Sequence, residues 1–339
     1  MRNYSVAIVG PMGIVGRNVA SILEERNFPI KDIKFLGTER NKNREIFFKG
    51  NKYYSETAEK GSFTNVDIAF FCVDSIISKT LAPIAVKEGA VVIDNSSQWR
   101  MDKEVPLVIP EVNIDALYNH KGLIANPNCS TIQMLMVLKP LHDAFKIKRV
   151  IVSTYQSVSG SGKYGMDDLI NQITSFIKNE SIKNSFYPHE IFSNLIPHID
   201  EFMENGYTKE EMKMVNETKK ILDENIMVSA TAVRVPVFNC HSESVNIETE
   251  KPISPEGARE VLSKFKGVTV IDKPLSQKYP MPILAKGKDE VFVGRIRRDF
   301  TLENGINLWI VADNLRKGAA LNSVQIAEAL IERNLIKGD

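Results

Sequence analysis

The sequence predicts an α/β protein in two parts: an N-terminal parallel sheet wound with helices, then an α+β half with a mostly antiparallel sheet. Three observations carry this. Short continuous apolar runs alternate with helical patterns over residues 6–125, a glycine-rich turn follows the first run at once, and beyond residue 227 strand patterns follow one another with few helices between them. Repeated strand–helix–strand units build parallel sheets with right-handed crossovers, whereas strands in direct succession pair antiparallel. A chain of 339 residues is long enough for two domains. The expected division gives residues 1–128 with 318–339 to the first domain and 129–317 to the second.

Composition narrows the function classes. The chain is 43% hydrophobic and 25% charged with a formal net charge of +1, so neither a nucleic-acid nor an anionic-membrane partner is expected. No apolar run approaches the ~18 residues of a membrane span. Met1-Arg2-Asn3-Tyr4-Ser5 enters a strand pattern without a signal-peptide core, so a cytoplasmic protein is expected. Cys72, Cys129 and Cys240 form no disulfide framework, and neither CxxC nor paired-His spacing points to a metal.

Val6-Ala7-Ile8-Val9 reads as a buried parallel strand. Gly10-Pro11-Met12-Gly13-Ile14-Val15-Gly16 follows, and then a helix with Val15, Val19, Ile22 and Leu23 on one face. Strand, glycine turn and helix start form a Rossmann-type dinucleotide setting. Glycines let a pyrophosphate approach the backbone, and the helix N-terminus supplies N–H donors. The same spacing also serves a purely structural turn. A second strand at Ile33-Lys34-Phe35-Leu36 leads to Thr38-Glu39-Arg40-Asn41-Lys42-Asn43-Arg44. Basic residues here suit the 2′-phosphate of NADP, and an acidic one suits the ribose of NAD. Arg40, Lys42 and Arg44 favour NADP, Glu39 opposes it, and a solvated charged loop is the plain alternative.

Residues 67–72 and 90–94 are two more buried strands, with a helix over 76–88 between them; Cys72, at a strand end, is explained by packing. Ligands of open α/β sheets lie beyond the carboxyl ends of strands. Arg100 follows such an end and is placed to bind an anion, although a surface arginine fits the spacing equally. Residues 105–111, with two prolines, read as an extended connector.

The strand Gly122-Leu123-Ile124-Ala125 runs into Asn126-Pro127-Asn128-Cys129-Ser130-Thr131, and a helical pattern (Ile132, Leu135, Met136, Lys139) leaves it. Ser130 and Thr131 are residues that start helices well. A thiol at a helix N-terminus meets free N–H groups and the positive end of the dipole, which favour a nucleophilic thiolate. The other reading of Cys129 is a small buried hydrophobe.

A strand over 149–155 ends in Gln156 and the loop Ser157-Val158-Ser159-Gly160-Ser161-Gly162; a helix covers 163–178, and 186–206 looks irregular. Thr208 and Glu211 make a capping box opening a helix through Leu222. Glu210 and Lys213 share a face of it, by spacing alone a solvent-exposed ion pair. Strands follow at 227–238 and 242–249, joined through Asn239-Cys240-His241. Arg234, set among Val233, Val235 and Val237, requires a partner or a ligand. Strands at 268–271, 291–297 and 306–312 and a helix over 319–335 complete the chain.

A cysteine at a helix start, a dinucleotide fold, several arginines and a late histidine suggest aldehyde chemistry. A thiolate adds to an aldehyde, hydride leaves for a nicotinamide, and a thioester remains for an acceptor to cleave. Histidine is the usual group for the attendant proton.

The 10–16 turn, Asn95-Ser96-Ser97 through Arg100, Pro110-Glu111-Val112-Asn113, the 126–131 turn, the 156–162 loop, Glu210 with Lys213, Arg234-Val235-Pro236-Val237, His241-Ser242-Glu243 and the stretch 313–320 occur in order along essentially the whole chain. In these motifs the sequence resembles the aspartate-β-semialdehyde dehydrogenase family. The resemblance implies reversible, phosphate-dependent oxidation of L-aspartate 4-semialdehyde to 4-aspartyl phosphate with NADP, serving lysine (diaminopimelate), threonine and methionine biosynthesis. It implies Cys129 as nucleophile, His241 as acid/base and Gln156 as the group orienting substrate. Arg234 would bind the α-carboxylate and Glu210 the amino group, while Arg100, Lys213 and Asn128 hold phosphate. Gly10, Met12, Gly13, Ile14, Val15, Gly16, Thr38, Arg40, Asn41, Ser159, Gly160 and Asn314 would contact NADP. A homodimer built through a catalytic second domain is implied as well. Two departures bear on the cofactor: Pro11-Met12 replaces the family's usual Ala-Thr, removing a hydroxyl, and Thr38-Glu39-Arg40-Asn41 replaces Ser-x-Arg-Ser. The alternatives are an enzyme like N-acetyl-glutamyl-phosphate reductase, for which Glu210 would be unhelpful, and a non-catalytic NADP-binding protein.

Overall fold

The computed structural model describes residues 2–336. The chain divides into two compact units, Met1–Pro127 with Ala319–Asp339 and Asn128–Gly318.

The first unit contains β1 (Tyr4–Val9), α1 (Ile14–Glu25), β2 (Ile30–Gly37), β3 (Glu45–Phe48), β4 (Asn51–Tyr54), β5 (Glu56–Thr57), β6 (Ile68–Phe71), α2 (Ser75–Lys87), β7 (Val91–Asp94), α3 (Pro110–Asn113) and β8 (Leu123–Ala125). Six of these strands form one sheet in the order β5-β2-β1-β6-β7-β8, parallel at every pairing. The order reverses between β1 and β6, as in the predicted Rossmann-type sheet. β6 and β7 are buried throughout, which is why their sequences are continuous apolar runs. α1 buries Gly16, Val19, Ile22 and Leu23, so the apolar stripe faces the sheet.

Two features depart from the sequence reading. β3 and β4 form a hairpin whose turn residues, Lys49 and Gly50, both have positive φ (47° and 74°). Such a type I′ turn matches strand twist, but Lys-Gly signals it less clearly than Asn-Gly. The predicted connector over 105–111 gives way at Pro110 to the single turn α3; proline at a helix start forfeits no hydrogen bond.

The second unit contains α4 (Cys129–Phe145), β9 (Ile147–Gln156), α5 (Gly162–Ile177), α6 (Lys209–Ile221), β10 (Met227–Arg234), β11 (His241–Thr249), α7 (Pro255–Ser263), β12 (Val268–Val270), α8 (Pro282–Ala285), β13 (Val291–Arg298) and β14 (Gly305–Ala312). Its sheet runs β10-β9-β11-β14-β13-β12. The three central pairings are antiparallel, as predicted, while β10 with β9 and β12 with β13 are parallel. The chain between β9 and β10 passes through α5 and α6, the long crossover that a parallel pair needs. β10 ends at Arg234, short of the predicted Phe238, because Pro236 cannot donate to a ladder.

α4 is buried on nearly every side, with every residue from Ser130 to Leu138 buried, so its sequence shows little amphipathic contrast. The capping box at α6 forms as predicted, with Thr208 and Glu211 bonded reciprocally. Residues 186–206 contain no helix and no strand beyond isolated bridges. Asp168 of α5 ties the start of this region, accepting the backbone N–H groups of Ser185, Phe186 and Tyr187. The last helix, α9 (Leu321–Glu332), belongs to the first unit and begins after a π-helical turn at Arg316–Ala320. Among the described residues no helix is long and apolar enough to cross a membrane.

Candidate active site

Cys129 is the first residue of α4, and its thiol is half-buried. Asn128 caps the helix: its Oδ1 accepts the N–H groups of Ser130 (3.0 Å) and Thr131 (3.3 Å). The expected starting residues, Ser130 and Thr131, are instead fully buried inside the first turn. All of these types suit a helix end, and burial decides between them. Gly318 packs directly on the cysteine, since a Cβ there would lie 3.0 Å from Cys129 Cβ.

Asn128 is held in turn by α6. Its backbone N–H donates to Glu217 (2.7 Å), and its Nδ2 donates to Glu210 Oε1 (2.9 Å). Gln156, at the end of β9, donates to the same oxygen (3.2 Å). Lys213 spans Glu210 (3.0 Å) and Asp200 (2.7 Å). Glu210 is only 5% exposed, so the Glu210–Lys213 pair is a buried feature and not the solvent-exposed ion pair that spacing favoured. Burial lifts the Glu210 carboxyl, but the Lys213 ammonium and the amides of Asn128 and Gln156 outweigh it and hold it at about 2. The carboxylate is therefore ionised at neutral pH.

Glu217 and Asp200 escaped the sequence reading. Glu217 lies seven residues after Glu210, on the same helical face, and that spacing was its only signal. Glu217→Ala should orphan the buried Asn128 N–H. An orphaned buried donor costs about 1–3 kcal/mol. Denaturant unfolding should show that loss and kcat should fall with it, while Glu217→Gln, which keeps an acceptor, recovers most of both. An alanine variant neutral in both measurements would remove Glu217 from the support of the cysteine.

His241 opens β11 and is wholly buried. Its Nδ1 accepts the Ser157 backbone N–H (3.1 Å), which places the proton of the neutral ring on Nε2. Nε2 has no hydrogen-bond partner among the described residues. Burial first, and the Arg234 guanidinium second, depress this imidazole to about 3, against an opposing pull from Glu210. Arg234, the last residue of β10, is 5% exposed, and its Nη1 donates to the Ser157 carbonyl (2.7 Å). Gly160 lies against both, as a Cβ there would be 3.0 Å from Arg234 Nη1 and from His241 Cε1. Ser159 and Asn314 form the frame around this histidine. Asn314 Nδ2 donates to Ser159 Oγ (3.0 Å), and Asn314 Oδ1 accepts from Ser157 Oγ (3.2 Å) and the Cys240 N–H (3.0 Å).

The first unit carries the remaining candidates. Gly10 has φ +85°, and a Cβ there would lie 2.4 Å from the Cys72 carbonyl; one at Gly16 would lie 2.2 Å from the Gly10 carbonyl. Gly13 caps α1 without a side-chain bond, so Ile14 and Val15 begin a helix whose N-terminus carries no acidic residue. That end fits a pyrophosphate. Met12 supplies a carbonyl to Arg17 Nε (3.1 Å). A pocket of about 420 Å³ is lined by Gly10, Thr38, Asn41, Val73, Asp74 and Thr80 among others. Arg40 is exposed in the turn Glu39–Asn41, and the Glu39 carboxylate is taken by Thr57 (2.5 Å) and Lys42 (3.4 Å). Arg100 is 8% exposed, and its Nη2 donates to the Asn95 carbonyl (2.9 Å), so it is not a surface arginine.

Residues 5–120 match the family model described as semialdehyde dehydrogenase, NAD binding domain, and residues 138–317 match that of the semialdehyde dehydrogenase dimerisation domain. The chain is 55% identical to the aspartate-semialdehyde dehydrogenase of Aquifex aeolicus over 98% of this chain and 99% of that one. It is 47% identical to that of Bacillus subtilis over 99% of each. A crystal structure of aspartate semialdehyde dehydrogenase II from Vibrio cholerae, complexed with ASA, superposes with a TM-score of 0.95 at 45% identity, covering 98% of this chain and 99% of that one.

Proposed function

The chain belongs to the aspartate-semialdehyde dehydrogenase family, and from that premise we propose that it oxidises L-aspartate 4-semialdehyde reversibly to 4-aspartyl phosphate, with NADP as hydride acceptor and inorganic phosphate as acyl acceptor. The observation that carries this reading is the buried network joining the Cys129 helix cap to Glu210, Gln156, Arg234 and His241 in one unit. In the reductive direction the product feeds lysine, threonine and methionine synthesis.

Arg234 takes the substrate α-carboxylate, since among the described residues one of its five N–H groups is committed, to the Ser157 carbonyl. Glu210 takes the ammonium. A carboxylate has about four acceptor positions, and Asn128, Gln156 and Lys213 occupy three of them. A charged Glu210 has no counterpart on an acetylated amine, which favours the free amino acid over an N-acetyl substrate. The Cys129 thiolate adds to the aldehyde carbon, forming the C–S bond and leaving an oxyanion. The His241 Nε2–H donates to that oxygen and Gln156 holds the substrate near the thiol. NADP, when bound, would supply the hydride acceptor, and loss of hydride from that carbon would leave a Cys129 thioester. Phosphate then attacks the thioester carbon, the C–S bond breaks, and the thiolate is restored. Lys213 and Asn128 would hold the phosphate, Lys213 having three N–H donors and two carboxylate partners.

The uncapped α1 start and the pocket at Gly10 would hold the dinucleotide, with Gly13, Ile14, Val15 and Gly16 suited to the pyrophosphate and Thr38, Arg40 and Asn41 to the adenosine. Glu39 is already bonded by Lys42 and Thr57, which favours Arg40 as the partner of a 2′-phosphate and hence NADP. Ser159, Gly160 and Asn314 would contact NADP when it is bound. The dinucleotide-binding fold is assigned to residues 1–128 with 318–339, Cys129, Gln156, Glu210, Arg234 and His241 lie in 129–317, and the dimerisation-domain match supports a homodimer through the latter.

The test is NADPH absorbance with aspartate semialdehyde, with and without phosphate, beside N-acetylglutamate semialdehyde. Phosphate-dependent reduction of NADP with the first substrate alone is expected; activity only with the acetylated one would sink this reading. Arg234→Lys should raise KM for the semialdehyde by about 10–100-fold, because a charged hydrogen bond in fork geometry is lost. Unchanged kinetics would take Arg234 out of the substrate site.

A further inference from the structure

Tyr187 is a buried polar residue that the chemistry above does not use. It lies in the irregular segment before α6 and is 8% exposed. Its ring packs in an apolar cluster with Val158, Leu169, Ile191 and Ile196. Its backbone is held at both ends: the N–H donates to Asp168 (3.1 Å) and the carbonyl accepts from Asn184 (2.9 Å). The ring position is thereby fixed, yet among the described residues the hydroxyl makes no hydrogen bond of good geometry, the Ser161 hydroxyl being the group near enough to interact with it. Buried hydroxyls are nearly always partnered, so one left open in a rigid frame marks a place for a ligand.

The neighbours of that hydroxyl locate it. Gly165 lies directly against it, because a Cβ there would be 2.5 Å from the Tyr187 oxygen and 2.7 Å from Ser161 Cβ. Five residues earlier, Gly160 lies against Arg234 Nη1 and the His241 ring. One short stretch of chain, 160–165, thus meets Arg234, His241 and the Tyr187 hydroxyl. The polar groups facing the phenol are the Ser161 hydroxyl, the Arg234 guanidinium and the Asp168 carboxylate. The Arg234 guanidinium is close enough to act on the phenol, and Glu210 and Cys129 are close enough to act on Arg234. Burial keeps the phenol protonated, so it is a donor.

We propose that Tyr187 is a specificity-determining residue whose hydroxyl donates to the substrate carboxylate held by Arg234. The proposal rests on the reading that Arg234 takes that carboxylate. A carboxylate that accepts two N–H bonds from a guanidinium retains lone pairs, and a neutral O–H donor beside the fork fills one of them. Such a pair discriminates a carboxylate from a neutral amide or ester at the same carbon.

Tyr187→Phe removes the oxygen and keeps the ring. KM for aspartate semialdehyde should rise about tenfold with kcat within about twofold, the change expected for loss of one hydrogen bond to a charged group. KM for phosphate and for NADP should not move, and Tm should not fall. Binding of L-2-aminobutyrate, which carries the ammonium and carboxylate without the aldehyde, should weaken by a similar factor in calorimetry. If the wild-type protein oxidises no aspartate semialdehyde but binds L-2-aminobutyrate more tightly than the variant, the reaction reading falls and the carboxylate site stands. If the wild type turns over and the variant matches it in KM and in L-2-aminobutyrate binding, the assignment of Tyr187 is overturned and the reaction stands. A variant that loses Tm and kcat together at constant KM would make the hydroxyl a structural group and equally overturn the proposal.

Discussion

Cys129→Ala should reduce turnover on the order of 10⁴-fold or more, as removal of a covalent nucleophile does elsewhere, while the protein still binds NADP. The expectation follows from where the sulfur sits. Asn128 caps the helix through Ser130 and Thr131, and Glu217 and Glu210 anchor Asn128, so the cysteine is presented at a helix start tied down by buried hydrogen bonds. The helix dipole there favours negative charge on sulfur. The two other cysteines offer no substitute. Burial, helped by Asp313, pushes the Cys240 thiol up to about 12, and burial with Asp94 raises Cys72 as well. Alkylation at neutral pH should therefore label Cys129 first, in step with loss of activity, as peptide mapping can show. Residual turnover within a hundredfold of wild type, or labelling led by Cys72 or Cys240, would refute the nucleophile assignment. A silent NADP-binding protein would instead show a Cys129 that reacts no faster than a free thiol.

What the sequence made legible was local. The apolar run of β1, the glycine turn and the α1 stripe announce themselves through periodicity and through glycines that later prove sterically required, Gly10 against the Cys72 carbonyl and Gly16 against Gly10. The Thr208–Glu211 box was readable because both partners lie within one turn. What stayed hidden depends on depth or on partners far along the chain. Spacing could place Glu210 and Lys213 on one face but could not tell a solvated face from a buried one. Nothing local links Glu217 to Asn128, Ser157 to His241, or Tyr187 to Gly165. The parallel edges of the second sheet were missed for the same reason, since direction there is set by what the intervening chain does. The side chains that would carry the chemistry were thus nameable one by one, but the bonds that fix their charge and tautomer were not.

His241→Ala should lower kcat about 10²–10⁴-fold, the range for loss of a positioned general acid or base, and the pH behaviour of the intact enzyme should show why. An ordinary histidine would give an acidic limb in kcat/KM near its usual 6.5. Here burial and Arg234 hold the ring near 3, and the Ser157 N–H occupies the Nδ1 lone pair that a second proton would need. The ring is neutral across the working range, with its proton on Nε2, ready to donate to an oxygen that gains charge when the thiolate adds. The wild-type profile should therefore lack a limb near 6.5 that belongs to this group. Stability carries the same signature. The folded pKa is depressed, so between about 6.5 and about 3 the unfolded chain binds a proton that the folded chain refuses. Stability falls as pH falls through that window, and the alanine variant should lose this part of the slope in denaturant titrations at successive pH values. A limb near 6.5 that vanishes with the substitution would mean that His241 titrates as an exposed imidazole, and the neutral-donor role would have to be given up.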